Sequence, residues 1–146
     1  MSELGDALRK NLADTFALYL KTHFFHWNVE GADFYEYHKF FNKLYDELWL
    51  AVDSIAEHIR TLNEYAPGSL SRFKELTTIQ DELAIPSGLG MVEKLLSDNS
   101  IVIDNLNITQ KMATQVGADG IANFLQERID IHNKHGWMLR STLKNR

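Results

Sequence analysis

The chain contains no cysteine. That absence excludes a disulfide framework, thiolate zinc sites and cysteine nucleophiles, and it fits a reducing compartment. Only two prolines and eight glycines punctuate the 146 residues, so long uninterrupted segments are allowed. No run of about 18 apolar residues passes without a charge, which excludes a membrane-spanning helix of ordinary length. The opening MSELGDALRK has no apolar stretch of signal-peptide length. With neither signal present, the expected location is cytoplasmic. A GxSxG elbow, a P-loop, a GxGxxG turn and an HExxH pair are all missing, so nucleophilic and nucleotide chemistry have no support. Positive charge is in deficit as well. Fifteen Lys and Arg stand against twenty Asp and Glu, a net charge of −5, without the basic stripe of a nucleic-acid binder.

What is present points to one helical domain spanning residues 1–146. Hydrophobic residues make up 45% and charged residues 24%, an ordinary globular balance. A chain of this length buries enough surface to need no covalent staple. Apolar residues recur every three to four positions, the helical period, in four long segments. The first runs from about Ser2 to Asn28, with Gly31 as its expected stop. The second begins at Asp33, whose partner Glu36 completes a capping-box pattern, and runs from Phe34 to about Asn63. A short helix over Ser71–Leu76 follows Pro67 and Gly68. The third long segment opens at Pro86, Ser87 and Gly88 and closes at Gly117. The fourth starts with Asp119 as its expected cap. Nothing alternates with period two. The expected fold is therefore all-α: a four-helix bundle with a short extra helix in the crossover between helices 2 and 3. That crossover, Tyr65 to Leu89, is long enough for helices 2 and 3 to run parallel.

Histidines and carboxylates are the remaining reactive groups. Di-iron bundles usually place a Glu-x-x-His pair on each of two helices, and no such motif occurs here. A metal centre enclosed by one bundle is therefore not expected. A looser constellation remains. His26 closes the first helix in HFFHWN, and His38 lies in the first turns of the second. Asp53 and Glu57 are four apart and share a helical face. His38 and Asp53 lie within about 60° of one face, but about 22 Å apart along a continuous helix. Metal–ligand bonds are about 2.0–2.2 Å long, so one chain cannot close both around one ion. A second copy of the helix, antiparallel across a two-fold axis near Asp46–Leu50, would bring His38 to the partner's carboxylates. The plainer readings of these residues are a solvated Asp–Glu face and hydrogen-bonded structural histidines. His132 and His135 are three apart and could chelate, yet no carboxylate partner is evident. Trp27, Trp49 and Trp137 read as core or interface residues.

The segment KTHFFHWNVEGADFYEYHKFF (21–41), then YDELW and VDSIAEHIR, resembles the signature of the Dps proteins, or miniferritins. HNKHGWMLRSTL (132–143) is similar to their last helix. The resemblance implies a ferritin-like bundle assembled as a hollow dodecamer. It implies intersubunit ferroxidase sites that oxidise Fe(II), usually with hydrogen peroxide rather than oxygen, and a stored ferric mineral that limits oxidative damage. Carried onto this chain, it assigns His26 and His38 to one subunit's share of each site, and Asp53 and Glu57 to its mate's. Trp27 matches the tryptophan that intercepts oxidising equivalents. Asn42 stands where many members have an iron-binding Asp, so the second iron position is expected to be weaker or filled through water. Asp119 matches one lining position of an acidic pore that admits iron, and Asn123 replaces the next. Glu64, Glu75 and Glu82 are candidate nucleation carboxylates. DNA binding, the family's second activity, is expected to be weak or absent. Arg9 and Lys10 sit within the first helix, Arg140, Lys144 and Arg146 make a short basic end, and twelve chains at −5 carry about −60. The alternative is a DNA-protecting or structural shell whose ferroxidase site has weakened.

Overall fold

Serine caps open three of the helices. Ser2 holds extended backbone, and its Oγ accepts from the Gly5 amide at 2.9 Å. Ser69 and Ser87 do the same for Arg72 and Gly90. The computed structural model describes residues 2–144 and places five helices between these signals. They are α1 (Glu3–Asn28), α2 (Phe34–Thr61), α3 (Leu70–Leu76), α4 (Gly88–Gln115) and α5 (Asp119–Leu143). The expected elements are all there, and the described residues contain no strand. Arg146, one of the basic residues at the end of the sequence, lies outside the described residues.

Three expected termini differ in their chemistry. Helix α1 stops at Val29, in extended backbone, while Gly31 adopts φ +111° in the turn beyond. Asp33 precedes α2 but makes no side-chain cap. Its ψ of 23° is far from the extended backbone that aims a capping oxygen at the first amides. Asp119 is not the cap of α5 either. Gly117, at φ +74°, ends α4 in the left-handed region, Ala118 becomes the N-cap, and Asp119 is the first helical residue. Its carboxylate still faces a positive helix end.

Cross-helix contacts settle the topology. Pairs 26–38 and 19–45 run α1 against α2. Pairs 21–98 and 14–105 run α1 against α4. Pairs 47–135 and 58–124 run α2 against α5. Each set has falling partner numbers, so each packing is antiparallel and α2 runs parallel to α4. The long crossover makes that possible. Asp14 fixes it: its carboxylate accepts from Thr77 Oγ1 at 2.9 Å, the Thr78 amide at 2.7 Å and Asn105 Nδ2 at 3.0 Å. Phe25, Phe41, Ile55, Met91, Leu106 and Leu125 are among the fully buried core residues. Trp27, Trp49 and Trp137 are more than half exposed in the single chain, so none is core. Among the described residues no helix is long and apolar enough to cross a membrane.

Candidate metal centre

The last turn of α1 lies against the first turns of α2, and there His26 and His38 meet. Their rings stack with centroids 3.7 Å apart and planes 15° apart. His26 Nδ1 is 2.7 Å from the His38 carbonyl, and His38 Nδ1 is 2.8 Å from the His26 carbonyl. A carbonyl only accepts, so both Nδ1 atoms carry the proton. The Nε2 of each ring is the nitrogen left to serve a ligand. This is the arrangement that orients a metal-ligating histidine: one nitrogen donates to a fixed acceptor, the other faces the ion. His26 is buried and His38 half-buried, which holds both rings in place.

Asp53 and Glu57 lie exposed farther along α2, by the helical rise about 22 Å beyond His38 in the case of Asp53. The single chain thus unites the two histidines and leaves the two carboxylates apart from them. No cluster of three or more His, Asp or Glu suited to a metal forms among the described residues. Between the two half-sets, Trp49 and Leu50 present 55% and 70% of their surface to solvent. They occupy the stretch of α2 through which a two-fold axis is expected.

A family model of the ferritin-like domain matches residues 5–146. The chain is 30% identical over 138 residues to DNA protection during starvation protein 2 of Bacillus anthracis, covering 94% of both chains. The chain belongs to the Dps family. It is also 34% identical over 139 residues to an uncharacterized low temperature-induced protein of Nostoc, covering 94% of this chain and 78% of that one. The Dps protein of Vibrio cholerae, described as a member of a broad superfamily of ferritin-like diiron-carboxylate proteins, superposes with a TM-score of 0.94 at 29% identity. That match covers 97% of this chain and 89% of the other.

In this Dps chain further side chains surround the two histidines. Asn42, one turn after His38, donates from Nδ2 to Asp46 Oδ2 at 2.8 Å. Its amide oxygen is the atom left for a ligand. Trp27 packs on His23 with centroids 4.2 Å apart. Burial first, then the neighbouring His26, lowers the His23 pKa, against the pull of Asp46. Of the three candidate nucleation carboxylates, all are already engaged. Glu64 accepts from Ser2 Oγ at 2.6 Å and Arg9 Nη2 at 2.8 Å. Those bonds, that of Ser2 foremost, hold its pKa down to about 2. Glu75 pairs with Arg72 at 3.0 Å and Glu82 with Lys94 at 2.7 Å. Asp119 is exposed.

The second histidine pair has a carboxylate partner that its spacing did not reveal. His135 Nε2 lies 3.7 Å from Glu47 Oε1, and Glu47 also binds Arg128, whose Nη2 is 3.0 Å from the same oxygen. His132 Nε2 lies 3.1 Å from Arg128 Nη2, while its Nδ1 faces Asn99 Oδ1 at 2.7 Å. Arg128 has no acceptor capacity, so it occupies the His132 Nε2 lone pair. Both rings are buried. Burial, with Arg128 adding to it, pushes His132 well below its usual range. Burial likewise carries His135 to about 4, against the attraction of Glu47. The signal available in sequence was the i, i+4 spacing of Arg128 and His132, one helical turn apart.

Proposed function

We propose that this Dps chain is one ferritin-like domain that builds an iron-oxidising, iron-storing cage, a homododecamer working in the cytoplasm. The observation that carries the reading is the reciprocal clamp of His26 and His38. It engages both Nδ1 atoms with backbone carbonyls and leaves two Nε2 atoms for a ligand. Paired imidazoles with carboxylates and open positions suit Fe(II). Asp53 and Glu57 of a symmetry mate supply the carboxylates, and the exposed Trp49 and Leu50 supply the apolar contact that such a mate would cover. Fe(II) is the substrate. Carboxylate oxygens favour the ferric product, and hydrogen peroxide, or oxygen, takes the electrons. Trp27 stands beside the histidines to intercept stray oxidising equivalents. Asp119 marks the pore that admits iron.

Tight DNA binding is not part of this reading. Arg9, one of the two cations near the start, is buried in pairs with Asp6 at 2.9 Å and Glu64 at 2.8 Å. A net −5 per chain repels phosphate once multiplied around a shell. Mixing Fe(II)-loaded protein with peroxide while weighing the native particle tests the proposal. Fe(III) formation by a species of about twelve chains, lost in His38→Ala, supports it. Oxidation by the variant at the wild-type rate would place the site elsewhere. Retention of plasmid DNA in a gel at about 0.15 M salt would favour the DNA-protecting alternative.

A further inference from the structure

The interior network around His132 has the parts of a metal site, with a guanidinium where an ion would stand. Asn99 Nδ2 donates to the His132 carbonyl at 2.9 Å, which turns its Oδ1 toward His132 Nδ1 at 2.7 Å. An amide oxygen only accepts, so Nδ1 carries the proton and Nε2 keeps its lone pair. An outer partner prepares a metal-ligating histidine in the same way. The lone pair meets Arg128 Nη2 at 3.1 Å, and the same Nη2 lies 3.0 Å from Glu47 Oε1. His135 Nε2 is 3.7 Å from that carboxylate oxygen. A carboxylate on α2 and two histidines one turn apart on α5 gather around one cationic group. We propose that Arg128 is a resident cation plugging a latent divalent-metal site made by Glu47, His132 and His135, and that it keeps iron out of the bundle.

The donor set suits the role. Metal centres in helix bundles are built from inward-facing side chains on facing helices, and α2 and α5 supply them here. Bonds from a metal to imidazole nitrogen and carboxylate oxygen are about 2.0–2.2 Å long, so Glu47 and His132 would each close by about 1 Å around an ion in the place of Nη2. A cavity of about 10 Å³, lined in part by Thr22, Asn99 and His135, is about the space of one water, a fourth ligand.

Charge is what holds Arg128 there. Its side chain is 4% exposed, and its Nε finds no acceptor among the described residues. A guanidinium kept for its hydrogen bonds alone would have every buried donor met. This one answers the carboxylate of Glu47, occupies the His132 lone pair, and repels any second cation. Iron is then left to the histidines between α1 and α2. The inference goes beyond the function proposed above and stands on the interior network alone.

Co(II) is the probe, in a His38→Ala background that removes a ligand of the proposed intersubunit site. Arg128→Ala/His38→Ala should bind one Co(II) per chain more than His38→Ala. The added ion should show the visible bands of imidazole-bound Co(II) and a cobalt anomalous peak between α2 and α5. Adding His132→Gln should weaken that binding by at least the about 10–100-fold that disturbing a metal's outer shell costs. If the double variant is unfolded without metal, Co(II) should restore its helical circular dichroism, because binding and folding are then one equilibrium. Equal Co(II) uptake by His38→Ala with and without Arg128 overturns the inference. So does uptake indifferent to His132→Gln, or an unfolded double variant that Co(II) does not refold. No Fe(II) oxidation enters these measurements, so the ferroxidase reading stands or falls separately.

Discussion

Two histidine pairs of this chain, one between helices and one within a helix, have opposite chemistry. His26 and His38 come from different helices, stack at 3.7 Å, and direct Nδ1 of each ring at the other's backbone. Among the described residues no hydrogen bond engages either Nε2. His132 and His135 come from one helix, stand edge-to-face at 5.6 Å, and lie inside the bundle. There Arg128 occupies the His132 Nε2 and Glu47 attends His135. A histidine's role is thus decided by which ring nitrogen the fold consumes. The α1–α2 pair keeps two ring nitrogens open for the role proposed above, and the interior pair holds α2, α4 and α5 together.

Truncation of either pair should expose that difference most sharply. His38→Ala removes a proposed ligand from a half-buried position at the helix ends. Peroxide-driven Fe(II) oxidation is expected to fall about 100-fold, at the upper end of what disturbing a metal's surroundings costs, while the urea midpoint barely moves. His132→Ala should do the reverse. It takes a partner from Asn99 Oδ1 and from Arg128 in the interior, a loss of about 1–3 kcal/mol for each buried group left unsatisfied, although Glu47 still pairs with Arg128. Oxidation by whatever fraction stays assembled should continue. If His132→Ala stopped oxidation with stability intact, the interior pair would belong to the metal chemistry and the contrast would collapse.

Glu47→Gln attacks the same interior network from α2. Glu47 is the anionic partner of Arg128, whose side chain is 4% exposed. Leaving that guanidinium without a counter-charge should cost about 3 kcal/mol in urea unfolding. The histidine clamp between α1 and α2 should be untouched, so the rate per folded particle is expected to stay near wild type.

Much of this contrast was legible in the sequence, and the missing part has a definite cause. Helix number and the short crossover helix follow from local signals, period and glycine stops, while the grouping of His26 with His38 comes from the family resemblance. The separation of His38 from Asp53 needed only helical rise. The caps at Asp33 and Asp119 were misplaced because a capping residue is defined by its backbone angles, which the residue type does not dictate. Glu47 was missed as the partner of His135 because the two lie on helices far apart in the chain. Their contact depends on the parallel placement of α2 and α4, and no local period encodes that.

Acid should separate the pairs next. His135 has a folded pKa of about 4 against a usual 6.5, and His132 is also lowered. A depressed histidine lets the unfolded chain take protons that the folded one refuses. Its stability contribution is therefore complete above about pH 6.5 and is lost progressively as pH falls toward 4. His135 alone accounts for about 3 kcal/mol over that window. Urea midpoints measured across it should fall with pH, and His135→Gln should flatten the slope. A slope unchanged in that variant would assign the acid sensitivity to other groups.

The smallest expected effect concerns Asn42, beside the surface pair. Its amide donates to Asp46 at 2.8 Å, so in the metal-free protein it neutralises nothing but satisfies a carboxylate one turn away. Asn42→Asp would set two carboxylates against each other at i, i+4, a cost of about 0.2–0.5 kcal/mol. With iron bound the sign reverses, because a hard cation prefers a carboxylate to an amide oxygen and relieves the repulsion. The variant should therefore melt slightly earlier than wild type without metal and gain more from added Fe(II) under anaerobic conditions. In anomalous difference maps of iron-soaked crystals, the wild-type protein should show one strong and one weak peak per site, and Asn42→Asp two of nearly equal height. Equal peaks in the wild type would mean that Asn42 already serves as well as a carboxylate, and the expected difference between the two iron positions would be gone.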